Sequence, residues 1–221
     1  MTNNIDPHKV TPPEQHNYEI AYGLAFKLAA EKLNALPDLA EQCRRSGSIC
    51  SADHKLITLD YLNRTYRIVL PAVDINLPDS TETVELRDRI LILNYLLRAK
   101  GTPLSNHLIS YQELKEGAVY YPSFVKRAVQ PLSDFFGAKP DRLPAAAMSL
   151  GGSPANYGDV AITIPALSRV PVTLVLWKGD AEFAPNAGIL FDSTILDYLS
   201  AEDINVLCQT ISGKLIKSCK R

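Results

Sequence analysis

The carboxylates Asp159, Asp180, Glu182 and Asp192 are the residues of this sequence best suited to chemistry. Asp180 and Glu182 follow the single tryptophan in the run Trp177-Lys178-Gly179-Asp180-Ala181-Glu182-Phe183, and Asp192 closes the apolar run 189–191. If residues 166–169 form a four-residue turn between two strands, Pro165 stands opposite Val170, Gly158 faces Trp177 and Asp159 faces Leu176. That register puts Asp159 at the sheet end that carries Asp180 and Glu182, and Asp192 is expected to join them from the end of the next strand. Carboxylates gathered in this way can bind a hard divalent cation or divide their pKa values for acid/base work. The competing reading has them solvated and hydrogen-bonded to turn amides, as Asp commonly is. Trp177 is expected to be mostly buried, its indole over Gly158 and beside Phe183, with Gly179 shaping the turn.

Other chemistry has little support. His8, His16, His54 and His107 lie far apart, and none shows metal-ligand spacing. Cys50 and His54 make at most half a site, to which Cys43 could add, and free thiols are the plainer expectation for Cys43, Cys50, Cys208 and Cys219. Gly151-Gly152 is a weak signal for backbone approach to a ligand, and neither a dinucleotide fingerprint, a phosphate-binding loop nor a nucleophile elbow occurs.

The elements that must position these residues can be read from periodicity. Residues 170–177 are apolar on both faces, which predicts a central, covered strand, and residues 157–165 alternate as its hairpin partner. Residues 56–60 and 65–70 form a second hairpin around Leu62-Asn63-Arg64. Thr11-Pro12-Pro13-Glu14 has the form of a capping box that opens a helix with the stripe Tyr18, Tyr22, Ala25, Phe26, Ala29 and Leu33, ended by Pro37. Further helices are predicted at 84–100, at 122–136 with a kink or break at Pro131, and at 201–217 behind Ser200 as N-cap. Residues 108–114 read as a short strand, 145–150 as a helical turn and 71–83 as a surface loop. The expected fold is α+β: a mainly antiparallel, mixed sheet covered by about four amphipathic helices.

With 221 residues, 46% hydrophobic and 21% charged, the composition is that of an ordinary globular protein, read here as a single domain with a polar N-terminal tail of about ten residues. A net charge of −1 and a pI near 6.4 leave no electrostatic footprint for nucleic acid. No apolar run is long enough to cross a membrane, and the polar N-terminus carries no export signal, so a cytoplasmic location is expected.

Tyr95-Leu96-Leu97, Gly101-x-Pro103-Leu104, Gly158-Asp159, the stretch from Pro171 through LVLWKGDAEF, Leu190-Phe191-Asp192, Tyr198-Leu199 and Ala201-Glu202-Asp203-Ile204 together resemble the bacterial and archaeal family known as domain of unknown function 3786. The likeness covers most of the chain. It implies an anaerobic setting near corrinoid or iron–sulfur one-carbon metabolism, although the cysteine-rich segment of some members is missing here. The resulting expectation is an accessory or ligand-handling protein, with a small-molecule or protein partner, whose ligand and cofactor the sequence does not specify. The alternative is a metal-assisted or acid/base enzyme built on the carboxylate cluster.

Overall fold

The computed structural model describes residues 15–78 and 80–220. In chain order its elements are α1 (Gln15–Asn34), α2 (Leu39–Ser46), β1 (Ile49–Cys50), β2 (Leu56–Tyr61), β3 (Arg64–Val69), β4 (Asp74–Asn76), α3 (Leu86–Arg98) and β5 (Leu108–Ser110). There follow α4 (Gly117–Phe124), a π turn (Val125–Val129), α5 (Gln130–Phe136), α6 (Leu143–Ala147), β6 (Ser153–Ala155), β7 (Val160–Leu167), β8 (Val170–Trp177), β9 (Asn186–Asp192) and α7 (Ala201–Ser218). The fold is α+β, with a nine-stranded sheet whose order is β4-β3-β2-β7-β8-β9-β5, β1 pairing with β2 and β6 with β7. Every pairing is antiparallel.

The two predicted hairpins are present, each with a tighter turn than expected. β2 and β3 are joined by Leu62 and Asn63 alone, at φ +49° and +61°, the left-handed pair that matches the twist of a two-residue hairpin. In β7–β8 the extra residue Ala166 forms a bulge, Pro165 pairs with Pro171, and only Ser168 and Arg169 remain in the turn. The ladder is therefore offset by one residue from the expected register: Leu176 faces Val160, and Asp159 lies past the last pair, donating its amide to the Leu176 carbonyl at 3.0 Å.

The strand parity explains where Trp177 goes. Val172, Leu174 and Leu176 point into the core, whereas Thr173, Val175 and Trp177 share the other face. On that face the Thr163 and Thr173 hydroxyls bond at 2.8 Å. The indole is 42% exposed instead of mostly buried, and Phe183, its expected neighbour, is 70% exposed. A Cβ on Gly188 would stand 3.1 Å from the ring, and one on Gly158 3.3 Å from Nε1, so the indole lies against glycines of both neighbouring segments, not Gly158 alone.

Other differences have local causes. The loop expected at 71–83 contains β4, whose Ile75 pairs with Ile68, because three residues are too few to display a period. The helix expected from Pro122 begins at Gly117 and continues through the π turn into α5. Pro131 has no N–H to offer residue 127, and the wider turn carries the chain past that gap. The expected capping box at Thr11 to Glu14 lies outside the described residues, as does the side chain of Tyr18. Ala29 and Leu33 of α1 are buried, Tyr22 and Phe26 only partly, and Ala25 is exposed.

The helices pack as a layer on the even-numbered face of β8. α7 is central to that layer, touching α3, α4, α5, α6 and the π turn, while α1 packs on the outside of α3. The Ser200 hydroxyl accepts from the Asp203 amide and the Asp203 carboxylate accepts from the Ser200 amide, so α7 starts with a full capping box.

Candidate functional site

The structure places Asp159, Asp180 and Glu182 at one end of the sheet, as expected, and Asp192 at the other. Asp159 Oδ2 accepts the Lys178 amide at 2.7 Å, and Asp180 Oδ1 accepts the amides of Glu182 and Phe183, both at 2.8 Å. Those two backbone hydrogen bonds hold the Asp180 carboxyl below its ordinary pKa. Glu182 is exposed in the same loop, which lines an open hollow of about 590 Å³ with Asp141 and Pro185. Gly179 lets the loop close on itself, since a Cβ there would meet Pro185 at 2.6 Å. Asp159 and Asp180 thus tie turn amides, the competing reading of the sequence.

Asp192 belongs elsewhere. β9 starts beside Trp177 at Asn186 and ends beside Val172, so Asp192 sits at the opposite end of the sheet, about 20 Å away at 3.3–3.4 Å per residue. It is buried, and its oxygens accept from the amides of Ser105, Asn106 and Thr194 and the hydroxyls of Ser105 and Thr194, at 2.7–3.1 Å. It clamps one crossing of the chain. Among the described residues no group of three or more His, Cys, Asp or Glu is placed to hold a metal ion. The four cysteines are free, and burial together with the neighbouring Cys50 thiol pushes the Cys43 thiol up to about 12.

A different constellation lies under α7. Along α3 the buried positions are Asp88, Leu91, Ile92, Leu93, Tyr95 and Leu96, and the first of them is an aspartate 7% exposed. Tyr61 of β2 donates its hydroxyl to Asp88 Oδ1 at 3.0 Å, and the Tyr66 ring tilts against Tyr61 at 5.7 Å. Burial pushes the Asp88 carboxyl above its ordinary pKa, partly offset by the Tyr61 hydrogen bond and by Lys214. Burial and the Asp88 charge push the Tyr61 phenol well up. Asp88 is tolerated in the first turn of α3 because the helix dipole favours an anion there.

Asp88 and Tyr66 line a cleft of about 400 Å³ between the β2–β3 hairpin, the start of α3, the π turn and α7. Arg64, Arg87, Arg127, Lys214 and Lys217 line it as well, against the acids Glu82, Glu85 and Asp88. Arg64 pairs with Glu82 at 2.8 Å, whereas Arg87, Arg127, Lys214 and Lys217 have no carboxylate partner among the described residues. The π turn presents Arg127, and its Ala128 carbonyl accepts the Ser212 hydroxyl of α7 at 2.8 Å. Gly213 follows, inside an 18-residue helix, with open space where its side chain would be. Such turns often mark functional sites.

Sequence reasoning missed this cleft. Its one signal was Asp88 at helical spacing from Leu91, Ile92 and Tyr95, which Arg87 and Arg89 on either side mask. The basic residues come from elements distant in sequence and show no motif.

The fold and cleft define an α+β protein with a basic-walled pocket. A family model described as Domain of unknown function (DUF3786) matches residues 38–214, and the chain belongs to that family. No curated protein and no solved structure matches it. No described helix is long and apolar enough to cross a membrane.

Proposed function

We propose that this protein is a ligand-handling protein and that the cleft between α3, the π turn and α7 takes a small anionic molecule. The observation that carries the reading is Gly213. A glycine inside a helix costs about 1 kcal/mol relative to alanine, and this one stands where a side chain would enter a cleft walled by Arg127, Lys214 and Lys217. The volume is at the small end of ligand pockets. It is too small to enclose a corrinoid ring, so a role in corrinoid or iron–sulfur one-carbon chemistry would run through a smaller anion. The enzymatic alternative keeps Asp159, Asp180 and Glu182 at one end of the sheet without Asp192, and among the described residues these acids are not placed to hold a metal ion.

Thermal unfolding at low ionic strength, with inorganic phosphate and succinate as probes, tests this reading. The midpoint should rise with probe concentration, by an amount equivalent to about 2.7 kcal/mol at a hundred times the Kd. The rise should vanish in Gly213→Phe, which fills the cleft, and shrink in Lys214→Gln, with added salt weakening it in the wild type. Equal stabilisation of the wild type and Gly213→Phe would place anion binding elsewhere and overturn the assignment.

A further inference from the structure

The floor of the cleft asks for a group of the opposite kind from its walls. Asp88 Oδ1 is engaged by Tyr61, but Oδ2 has no donor among the described residues, and no cation pairs with this carboxyl. The residue as a whole is 7% exposed, but Oδ2 is not sealed from solvent: it opens onto the cleft, where water or the donor of a ligand can reach it. Here the residue lines an open cleft, so the missing donor can arrive with a ligand. An anion alone does not answer this, since its oxygens would meet the Asp88 oxygen without a proton between them.

We infer that the ligand is a small zwitterion, with a phosphate or carboxylate held by Arg127, Lys214 and Lys217 and a protonated primary amine donating to Asp88 on the floor. The inference rests on the anion-binding reading above and adds the second end of the molecule. An ammonium brings three donors, enough to serve the free carboxylate oxygen directly. A charge-assisted bond of this kind is stronger than a neutral one, and discrimination against a ligand lacking the amine follows from leaving Asp88 unserved.

Three probes that share a phosphate on a two-carbon chain separate the two ends: ethyl phosphate, phosphoethanolamine and phosphocholine, each titrated calorimetrically at low salt. Phosphoethanolamine should bind the wild type at least tenfold tighter than ethyl phosphate, a difference of 1.4 kcal/mol. Phosphocholine, whose quaternary nitrogen has no N–H, should gain nothing over ethyl phosphate. In Asp88→Asn the advantage of phosphoethanolamine should disappear while ethyl phosphate binds as well as before or better. The comparison of probes on the wild type decides the matter even if that variant folds poorly. Equal affinity for ethyl phosphate and phosphoethanolamine, or an advantage that survives in Asp88→Asn, overturns the zwitterion inference and leaves the anion cleft standing. Failure of all three to bind overturns the anion cleft itself, and the inference with it.

Discussion

Asp192 and Asp88 are both nearly buried carboxyls, and the donors around them decide their different behaviour. At Asp192 burial alone would raise the pKa, but the Thr194 hydroxyl and amide and the Ser105 amide and hydroxyl outweigh it and hold the group at about 2. The ordinary value is 3.8, so the folded protein prefers the ionised form. The resulting stabilisation is complete above the ordinary pKa, falls as the pH drops and is gone below about 2, with a total of about 2 kcal/mol. Urea unfolding of the wild type and Asp192→Asn should therefore differ by about 2 kcal/mol near pH 6 and converge towards pH 2. A deficit that stays constant across that range would mean that the charge of Asp192 is not what holds the Ser105 and Thr194 segments. At Asp88 the single donor Tyr61 leaves burial dominant, and the carboxyl moves the other way. This contrast was invisible in the sequence, where Asp88 stands between Arg87 and Arg89 and reads as a charge on a solvated face, and Asp192 follows an apolar strand. The Asp180 turn was more legible, because Gly179-Asp180 in a polar loop is a common setting for a carboxylate that binds amides two and three residues ahead.

At the scale of elements, α7 was read almost as it stands, because its cap, its acidic first turn and its stripe of Ile204, Leu207, Ile211 and Leu215 agree with one another. The segment from Gly117 to Phe136 was not, since the sequence marks Pro131 as a break without saying whether the chain bends, stops or widens into a π turn. Tertiary contact supplies the answer: Ser212 and Ala128 are both buried, and the Ser212 hydroxyl donates to the Ala128 carbonyl within the wider turn. Ser212→Ala removes that buried hydrogen bond and should cost about 0.5–1.5 kcal/mol. Because the same turn carries Arg127 into the cleft, the variant should also bind phosphate more weakly. Denaturant midpoints and the phosphate titration measure the two effects. A loss of stability within about 0.3 kcal/mol of zero would show that the π turn is held by its own packing and not by α7.

Across the whole molecule, the strands fall into two groups that meet narrowly. β2 and β7 share one bridge, Tyr61 with Leu167, and then diverge, with β1 pairing on one side of the gap and β6 on the other. The hairpins themselves were readable from period-two runs and turn residues, but their junction was not, since one bridge leaves no pattern in either strand. What joins the groups lies around that bridge. The Leu62 amide donates to Ala166 at 2.9 Å, and the Asn63 side chain donates to the Ser149 carbonyl at 3.3 Å. The buried Tyr95 hydroxyl donates to the Ser46 carbonyl and accepts the Arg169 amide. Gly47, at φ +71°, lets the end of α2 approach the β7–β8 turn, where a Cβ would stand 2.9 Å from Ser168. Above the junction a single apolar cluster includes Ile57 and Ile68 from one group, Ile164 and Leu174 from the other, and Ile92 and Leu207 from the helices that cross both. With the core shared in this way, neither group can lose its packing without exposing the other, so unfolding should be one cooperative transition. Trp177, the only tryptophan, reports on β8 alone, whereas far-ultraviolet circular dichroism reports mainly on the helices. Urea unfolding followed by the two signals should give coincident curves with the same midpoint and slope. A tryptophan transition at lower urea than the helical one would mean that β7, β8 and β9 come away as a separate unit, and that the bridge at Tyr61 and Leu167 is a boundary of stability.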